Sequence, residues 1–472
     1  MSEVNVKTYV DELVRKAREA QAVYESTDQK TLNRAARAVA RVVYDNAEAF
    51  AVEAVNETGM GTVEGKILKQ KSAMTSQWCY TRDKKSTGVI GWEQGKLDVD
   101  CILKIAKPVG VVAAVMPVTN PTTTMGANAM YALKSGNAII VCPHPRAKNV
   151  SLHCAGLMRQ ALEQIGLPAD LVQCVEEPSI GMTGAVMHAA DVVVATGGTG
   201  MVEAANSSGN PSLGVGQGNC QVVIDKGMNR YFEKLAQAAI TNRAWDSGIP
   251  CTGEQTIIMP ACDCDEIVAA FERNGAMVVT DPEPIEKLRK LLFIEKNGKL
   301  SPNPDWVGQS AQTIGKAIGV DVPNEKKTLL VRIEKYGHDE PLCKEKMCPV
   351  SNFITYSGDW AEGVHIARTN LLVEGAGHSS DIYTEDKDRQ VYAGIQLPVC
   401  RLIVNNGNCV VGGEPYYTNG MVATAGVGCG FWQKNILSEN LTFANLLNYT
   451  RMFYTVPGKP TPSEEEIWAE IR

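Results

Sequence analysis

From Val109 to about residue 200, short apolar runs alternate with helix-like segments, and this alternation restricts the fold more than any other feature. The runs read GVVAAVMP, NAIIVCP, LVQCV and DVVVATGG. Strands that are apolar on both faces are typical of a parallel sheet covered by helices. The sequence therefore predicts a doubly wound α/β domain in the first half of the chain.

The segments before this region predict helices. Apolar residues recur at helical spacing in residues 10–20, and a second amphipathic stretch covers about residues 32–55 after a Ser-Thr-Asp capping sequence. The 472 residues predict two or three domains. We therefore expect a helical N-terminal part ahead of the sheet.

Composition favours small-molecule chemistry. A run of 18 apolar residues is lacking, as is the apolar core of a signal peptide, so a membrane-spanning or exported protein is not expected. Fourteen scattered cysteines fit reduced thiols in a cytosol better than a disulfide framework. The net charge of −7 includes no basic stripe that would indicate nucleic acid. The sequence predicts a cytoplasmic protein whose partners are small molecules.

Two predicted strand ends carry candidate ligand-binding residues, because ligands bind at the carboxyl ends of parallel strands. Glycines in ATGGTG, residues 195–200, would let a pyrophosphate approach a helix N-terminus, although on their own they are explained more simply by a tight strand-to-helix turn. Thr119 and Asn120 precede a helix that starts with proline, and they could either stabilise an oxyanion or cap that helix.

Cys251 has an unusual setting. It lies in the polar turn DSGIPCTGEQ, whereas most other cysteines lie in apolar runs. A thiol in a loop before a predicted strand is a candidate nucleophile. Cys262 and Cys264 have no companions at metal-ligand spacing, so we interpret ACDCDE as a loop and predict no metal site.

Seven segments, in order over almost the whole chain, resemble the CoA-acylating aldehyde dehydrogenases. They are TNP, NAIIVCPHPRAKN, TGGTGMV, DSGIPCTGEQ, KEKMCPV, EGAGHSSDIYT and GVGCGFWQKNILSENLT. The resemblance is closest to the branch that contains acylating succinate-semialdehyde and sulfoacetaldehyde dehydrogenases and the aldehyde-oxidising half of bifunctional alcohol/aldehyde dehydrogenases. It implies the aldehyde dehydrogenase fold, with a doubly wound cofactor-binding domain, an α/β catalytic domain and a β oligomerisation arm.

The resemblance assigns roles to several residues. Cys251 matches the nucleophile that forms a thioester after hydride transfer to nicotinamide. His378 matches an acid/base near this thiol, and Glu345 matches a residue that positions the nicotinamide ribose. The dinucleotide turn corresponds to Thr196, Gly197 and Gly198. Glu254 is shared with acylating relatives, where proton transfer and a capping or salt-bridge role stay open.

An absence favours CoA as the acyl acceptor. Hydrolytic aldehyde dehydrogenases carry a glutamate base in a segment that aligns with VGQGN, residues 215–219, and no carboxylate occurs here. Without a base to activate water, the thioester waits for a better nucleophile, and a thiol is intrinsically suited to that exchange. The sequence therefore predicts coenzyme A as co-substrate.

The sequence gives a partial indication of the preference between NAD and NADP. The ribose-binding lysine of many relatives falls at Cys142, and the nearby acidic residue falls at Pro145. Nothing in the segment Pro143, His144 and Arg146 would repel a 2′-phosphate, so we expect NAD(P) with a preference for NADP. The alternative is that PHPR is simply a turn.

The substrate segment departs from the family pattern. Residues 419–435 lack the usual Pro-Thr-rich sequence and follow Tyr416 and Tyr417. With Asn419 these side chains would suit a short anionic aldehyde such as sulfoacetaldehyde or succinate semialdehyde, bound through Arg243 or Lys434. The apolar MVATAGVG equally permits acetaldehyde or propionaldehyde. From other classes, a non-oxidative cysteine acyltransferase and a structural assembly partner stay as alternatives.

The resemblance implies three parts. They are a dinucleotide-binding domain at 1–226 with an arm hairpin at about 95–107, a catalytic domain at 227–430 and a C-terminal arm at 431–472. Such arms pair across subunits, so we expect a homodimer or homotetramer, either on its own or within a larger enzyme assembly. Because the chain ends at residue 472, conversion of aldehyde to alcohol is not expected.

Overall fold

The structure is a computed structural model that describes residues 3–93, 101–296, 298–407, 420–456 and 458–470. Its helices are α1 Glu3–Tyr24, α2 Gln29–Asp45, α3 Ala47–Thr58, α4 Val63–Thr81, α5 Pro121–Lys134, α6 Lys148–Gln164, α7 Ile180–Ala189, α8 Thr199–Asn206, α9 Phe232–Ala244, α10 Cys264–Arg273, α11 Pro282–Leu292, α12 Ala311–Ile318, α13 Trp360–Val373, α14 Lys387–Gln396 and α15 Glu464–Trp468.

The strands form four sheets within the described residues. They are β1 Gly88–Trp92, β2 Ile102–Pro108, β3 Val111–Val115, β4 Ala138–Cys142, β5 Val172–Cys174, β6 Val192–Thr196, β7 Ser212–Val215, β8 Cys220–Ile224, β9 Glu254–Pro260, β10 Ala276–Val279, β11 Phe293–Lys296, β12 Lys299–Pro302, β13 Thr328–Arg332, β14 Val350–Tyr356, β15 Gly377–Tyr383, β16 Val399–Val404 and β17 Leu447–Phe453.

The first sheet has five parallel strands in the order β5-β4-β3-β6-β7. Its central strands β3 and β4 are buried at every position, because helices cover both faces. The apolar runs of the sequence form β3 to β6, so the predicted α/β domain is confirmed. The chain segments that follow β3, β4 and β6 leave the sheet at one edge, as parallel strands require.

The second sheet has seven parallel strands in the order β10-β13-β14-β9-β8-β15-β16. Strand β9 lies in its centre and is buried along its whole length. Strand β8 joins this sheet although it precedes residue 227, so the sheet begins earlier in the chain than the predicted catalytic domain. The boundaries at 226 and 430 stay a prediction.

A third, antiparallel sheet pairs β1 with β2 and β2 with β17. Strand β2 lies in the segment predicted as an arm hairpin, and β17 lies in the predicted C-terminal arm. Residues 94–100, which would form the first part of that hairpin, lie outside the described residues. Strand β17 exposes most of its side chains, with Phe453 74% exposed.

The N-terminal helices match the sequence prediction in kind but not in number. The side chain of Asp28 accepts a hydrogen bond from the backbone N–H of Thr31 and caps α2, as the capping sequence predicted. The stretch expected as one helix is divided at Asn46 into α2 and α3. The predicted loop ACDCDE is likewise wrong in part, since α10 begins at Cys264. Within the described residues, none of the helices is long and apolar enough to cross a membrane.

Candidate active site

Cys251 lies in a turn that leads into β9, at the amino-terminal edge of the seven-stranded sheet. Cys251 is half-buried. In the preceding 3-10 segment Trp245–Gly248, Asp246 and Ser247 have positive φ values of 46° and 54°. Gly61 packs closely against Asp246 because it has no side chain: a Cβ on Gly61 would lie 1.9 Å from Asp246 Oδ1. A tightly packed support therefore holds the thiol at the end of a buried central strand.

His378 faces the thiol. Its Nε2 lies 3.3 Å from Cys251 Sγ, and its Nδ1 lies 2.8 Å from Ser379 Oγ. Both residues belong to β15, whose amino end lies at the same sheet edge as Cys251, and both are fully buried. The Cys251 thiol, the His378 imidazole and the Ser379 hydroxyl therefore lie in a row, although Cys251 and His378 are 127 positions apart in the chain.

The environment of His378 keeps its imidazole neutral. Burial, with Arg401 as a second cause, holds the pKa of His378 well below its usual value. Arg401 Nη2 also donates to the carbonyl oxygen of His378 at 2.6 Å. A neutral imidazole can take a proton from a thiol near pH 7, so the geometry suits general-base activation of Cys251.

The segment that aligns with the hydrolytic base lies directly against Cys251. A Cβ on Gly218 would lie 2.0 Å from the carbonyl oxygen of Cys251. Gln433 holds the segment from the other side, because its Nε2 donates to the carbonyl oxygens of Gln217 and Ala376 at 2.9 and 2.8 Å. Residues 215–219 thus lie beside the nucleophile and contain no carboxylate to activate water.

Thr119 and Asn120 lie between β3 and α5. Asn120 occupies the position before α5, but its side chain makes no capping hydrogen bond. Its Oδ1 instead accepts from Lys69 Nζ, and its Nδ2 lies 3.3 Å from Thr119 Oγ1. The capping alternative is wrong for the Asn120 side chain, which lines the cleft at Cys251 with its amide group. An amide N–H there is suited to a developing oxyanion.

Two buried lysines of α4 surround Asp246. Lys69 Nζ pairs with Asp246 Oδ2, and Lys66 Nζ lies 3.4 Å from the same oxygen. Lys66 also donates to the carbonyl oxygen of Thr119 at 3.1 Å. Burial and the charge of Lys69 lower the pKa of Lys66 to about 8. The Asp246 carboxylate is therefore the shared counter-ion of Lys66 and Lys69.

A cleft of about 150 Å³ opens onto the thiol. Its lining is Lys69, Ser72, Ala73, Ser76, Gln77, Asn120, Thr123, Thr124, Trp245, Pro250, Cys251, Thr252, Arg401, Met421, Thr424, Ala425, Val427 and Asn440. Among these described residues, two are cationic and none is acidic. Arg401 reaches the carbonyl oxygen of Gly428 and Asn440 Oδ1 at 2.9 and 3.2 Å, so its hydrogen bonds go to neutral acceptors.

The cations suggested from sequence for an anionic substrate are wrong. Arg243 is 1% exposed, and its Nε donates to the carbonyl oxygen of Val350, so it is enclosed within the protein and does not line the cleft. Lys434 is exposed and pairs with Glu203 at 3.0 Å. Tyr416, Tyr417 and Asn419 lie outside the described residues.

Sequence reasoning missed Lys69, Arg401 and Ser379. Arg401 could have been found from the sequence, because a single arginine inside the apolar run PVCRLIV is rarely buried without a partner or a function. Lys69 lies in an ordinary lysine-rich helix, and only its packing against residues far away in the chain reveals it. Ser379 lay inside a quoted motif in which the histidine alone was given a role.

Apart from Glu345, the predicted cofactor residues lie at the carboxyl edge of the five-stranded sheet. Thr196, Gly197 and Gly198 connect β6 to α8. Pro143, His144 and Arg146 follow β4, and His144 Nδ1 accepts from the backbone N–H of Arg146 at 3.1 Å. Backbone N–H groups at the start of α8 are suited to a pyrophosphate, since nearby glycines leave space for it. The residues present therefore fit a dinucleotide.

Glu345 and Glu254 are both buried. Burial and the neighbouring Glu374 raise the pKa of Glu345 to about 8, and its Oε1 has no hydrogen-bond partner among the described residues. An unsatisfied buried acceptor is suited to a ribose hydroxyl. Glu254 Oε1 accepts from Asn242 Nδ2 at 2.8 Å, an internal structural contact.

Comparison with known proteins identifies the family. The model of the aldehyde dehydrogenase family matches residues 3–285, which is more than half of the chain. The chain belongs to the aldehyde dehydrogenase family. Over 467 residues it is 44% identical to a protein named succinate-semialdehyde dehydrogenase (acetylating) from Clostridium kluyveri, covering 99% of both chains.

Two further similarities agree. The chain is 35% identical to a sulfoacetaldehyde dehydrogenase from Acholeplasma over 97% of its length and 93% of the relative. The crystal structure of an acetylating aldehyde dehydrogenase from Geobacillus thermoglucosidasius superposes with a TM-score of 0.88 at 31% identity, covering 97% of this chain and 99% of that one. The expected aldehyde dehydrogenase fold is confirmed.

The protein is therefore a CoA-acylating aldehyde dehydrogenase, an oxidoreductase that acts on aldehydes. This confirms the prediction of an oxidoreductase over an acyltransferase or a structural partner. NAD(P) and CoA are the cofactor and co-substrate expected of this group. The particular aldehyde and the preference between NAD and NADP are separate questions.

Proposed function

We propose that this aldehyde dehydrogenase oxidises a short aldehyde with an anionic tail to its acyl-CoA through a thioester on Cys251. Succinate semialdehyde is the best candidate, and sulfoacetaldehyde carries the same kind of tail. The charge of the cleft is the observation that supports this choice. Lys69 and Arg401 line it together with the thiol, whereas none of its described lining residues is acidic.

The reaction divides among this chain's own residues. His378 Nε2 takes the proton of Cys251, and the sulfur attacks the aldehyde carbon. The amide of Asn120 stabilises the oxygen of the resulting thiohemiacetal, with Lys69 fixing the orientation of that amide. A bound NAD(P)⁺ would supply the hydride acceptor, and the sulfur of Cys251 would then carry the acyl group as a thioester. The thiol of CoA would then displace the acyl group and pass its proton to the Cys251 sulfur, while the proton held by His378 leaves to solvent, giving acyl-CoA and the Cys251 thiol.

The proposed cofactor contacts divide between two strand ends. The turn at Thr196, Gly197 and Gly198 would hold the pyrophosphate, and Glu345 would bind the nicotinamide ribose. This placement supports hydride transfer close to Cys251, because Gly218 and Glu345 both belong to segments adjoining the amino edge of the second sheet.

An anionic tail would balance the charge of the cleft. Lys66 and Lys69 share one carboxylate, and Arg401 bonds to neutral oxygens, so a carboxylate or sulfonate would enter a site with excess positive charge. Charges removed from water need a partner of opposite sign. Acetaldehyde and propionaldehyde would leave the excess uncompensated, which makes them the weaker candidates.

We expect kcat/KM for succinate semialdehyde to exceed that for propionaldehyde, and the preference to fall in Arg401→Met and Lys69→Met. A site that pairs a polar substrate group can discriminate by about 10⁴-fold, whereas a methylene contributes about 10–200-fold. The measurement is CoA-dependent reduction of NAD(P)⁺ with both aldehydes. For Arg401→Met, propionaldehyde turnover reports any indirect damage to His378.

Lys71→Met is the matched control. Lys71 lies on the same helix as Lys69 but pairs at the surface with Glu48. Its variant should keep the substrate preference of the original protein. A preference for propionaldehyde in the original protein would reject the anionic substrate and leave the acylating chemistry intact.

The preference for NADP is a further part of the proposal. His144 is partly buried and Arg146 exposed beyond β4, and the Pro143–Arg146 segment itself carries no carboxylate. A guanidinium there is suited to a 2′-phosphate. We expect Arg146→Ala to raise KM for NADP by about tenfold, the effect of one charge-assisted hydrogen bond, with KM for NAD nearly unchanged. Equal increases in KM for NADP and KM for NAD would mean that Arg146 has a structural role instead, through the hydrogen bond that its Nη2 donates to the carbonyl oxygen of Thr58.

We also propose a cytoplasmic homodimer or homotetramer. None of the thirteen cysteines in the described residues is in a disulfide, as suits a reducing compartment. The exposed face of β17 and the three-stranded sheet that contains it support pairing between subunits.

A further inference from the structure

We propose that Ser379 is a positioning residue that orients the His378 imidazole toward Cys251 and supports its protonated state. The inference rests on the proposed roles of Cys251 and His378. It goes beyond them by assigning a function to a buried hydroxyl outside the cleft lining. The supporting geometry is the continuous alignment from Ser379 Oγ through the imidazole to Cys251 Sγ, with separations of 2.8 and 3.3 Å.

The neutral imidazole of His378 has two tautomers. A neutral imidazole carries one proton, and only the form protonated at Nδ1 presents the Nε2 lone pair to the thiol. In that form Nδ1–H donates to Ser379 Oγ. If Ser379 were apolar, this N–H would lose its partner inside a fully buried site, and an unsatisfied buried donor is costly. Because a hydroxyl both donates and accepts, Ser379 Oγ can pair with Nδ1 in either neutral tautomer, so it holds the ring in position and is available to accept whenever Nδ1 carries the proton.

The same contact supports the protonated state. When Nε2 takes the thiol proton, both ring nitrogens become donors, and Ser379 Oγ accepts from one while the sulfur anion accepts from the other. This support is needed because Arg401 donates to the backbone oxygen of His378 and its charge disfavours an imidazolium. Loss of the hydroxyl should weaken the base as well as release its orientation.

The groups on the neighbouring elements are few. Arg401 lies on β16, where it pairs in register with Ser379, and the backbone of Cys429 packs against Gly377. On the other side, Ser380 pairs with the uncharged Gln221 of β8. Cys251 is the group that faces Nε2. Arg401 and Cys429 are unchanged in the variants below. A difference in the pH profile between two variants therefore reports the effect of the hydroxyl.

Ser380 provides a matched control. It is the next residue of the same strand, is equally buried, and its Oγ has no hydrogen-bond partner among the described residues. Ser379→Ala and Ser380→Ala thus remove the same atom from the same strand. Only the first removes a contact with the imidazole. Ser379→Thr restores a hydroxyl at the first position.

The experiment measures the rate at which iodoacetamide alkylates Cys251 as a function of pH, followed by mass spectrometry of the Cys251 peptide. In Ser379→Ala the profile should move to higher pH, and the rate at pH 7 should fall about 3- to 10-fold, the range for one lost hydrogen bond. Ser380→Ala should keep the original profile, and Ser379→Thr should recover it. Turnover should show a lower kcat with KM for NADP unchanged.

His378→Ala tests the proposed base separately from the role of Ser379. If it slows alkylation and Ser379→Ala does not, the role of Ser379 is wrong and the proposed base stands. If His378→Ala also leaves the profile unchanged, the base assignment fails and the inference fails with it. Equal shifts in Ser379→Ala and Ser380→Ala would reduce Ser379 to a packing residue and overturn the inference.

Discussion

Replacement of Cys251 by serine should abolish CoA-dependent aldehyde oxidation while the protein stays folded and binds NAD(P). A serine hydroxyl is far harder to deprotonate than a thiol, and the neutral, buried His378 is too weak a base to compensate. Loss of a nucleophile typically costs several orders of magnitude, so we expect a fall of at least about 10³-fold in kcat. The measurement is steady-state reduction of NAD(P)⁺ with succinate semialdehyde and CoA.

Cys264→Ser is the matched control for this change. Cys264 is half-buried, like Cys251, but it begins α10 and does not line the cleft. The control variant should keep normal turnover, and thermal unfolding should show that both variants fold. Turnover in Cys251→Ser above about a hundredth of the original would reject Cys251 as the nucleophile.

Omission of CoA should give the second large effect. With aldehyde and NAD(P)⁺ alone, the enzyme should release about one equivalent of reduced cofactor per active site and then stop as the acyl-enzyme. The reason is structural, because Gly218 packs against the Cys251 carbonyl and residues 215–219 offer no carboxylate to activate water. A missing general base typically costs about 10²–10⁴-fold, so the steady rate should fall by at least about 100-fold.

Two observations check this expectation. Intact-mass measurement should find one acyl group, located on Cys251, and addition of CoA should restart turnover and remove that group. Sustained release of free acid at a rate near the CoA-dependent one would mean that another residue activates water. Glu345, buried and with its pKa raised to about 8, would then be the first residue to replace.

The success of the sequence analysis depended on how local each feature is. The strands β3 to β6 were predictable because burial on both faces leaves a continuous apolar run. Thr196, Gly197, Gly198 and Cys251 were recognisable because a turn or a motif lies within a few consecutive residues. The division between α2 and α3 was missed because the amphipathic pattern continues through Asn46, where the helix ends.

Arg243 shows where this reasoning stops. A basic residue at the end of a helix, eight positions before the nucleophile, appeared suited to bind substrate, yet the fold encloses it beneath the Cys251 turn. The direction of a side chain depends on how its helix packs, and that packing involves residues remote in the chain. Lys69 and Arg401 occupy the cleft for the same reason, without a shared local pattern.

The sequence by itself determined the α/β class, the family, the nucleophile candidate and the missing carboxylate at residues 215–219, because each is written in a contiguous segment. Only the tertiary structure decided which side chains surround the thiol. His378 and Ser379 come from β15 and Arg401 from β16, and they meet because parallel strands bring their like ends to one edge of a sheet. Lys69 comes from α4 and reaches the cleft through the packing of that helix. Contacts across such an edge join residues hundreds of positions apart, so periodicity and spacing along the chain carry no record of them.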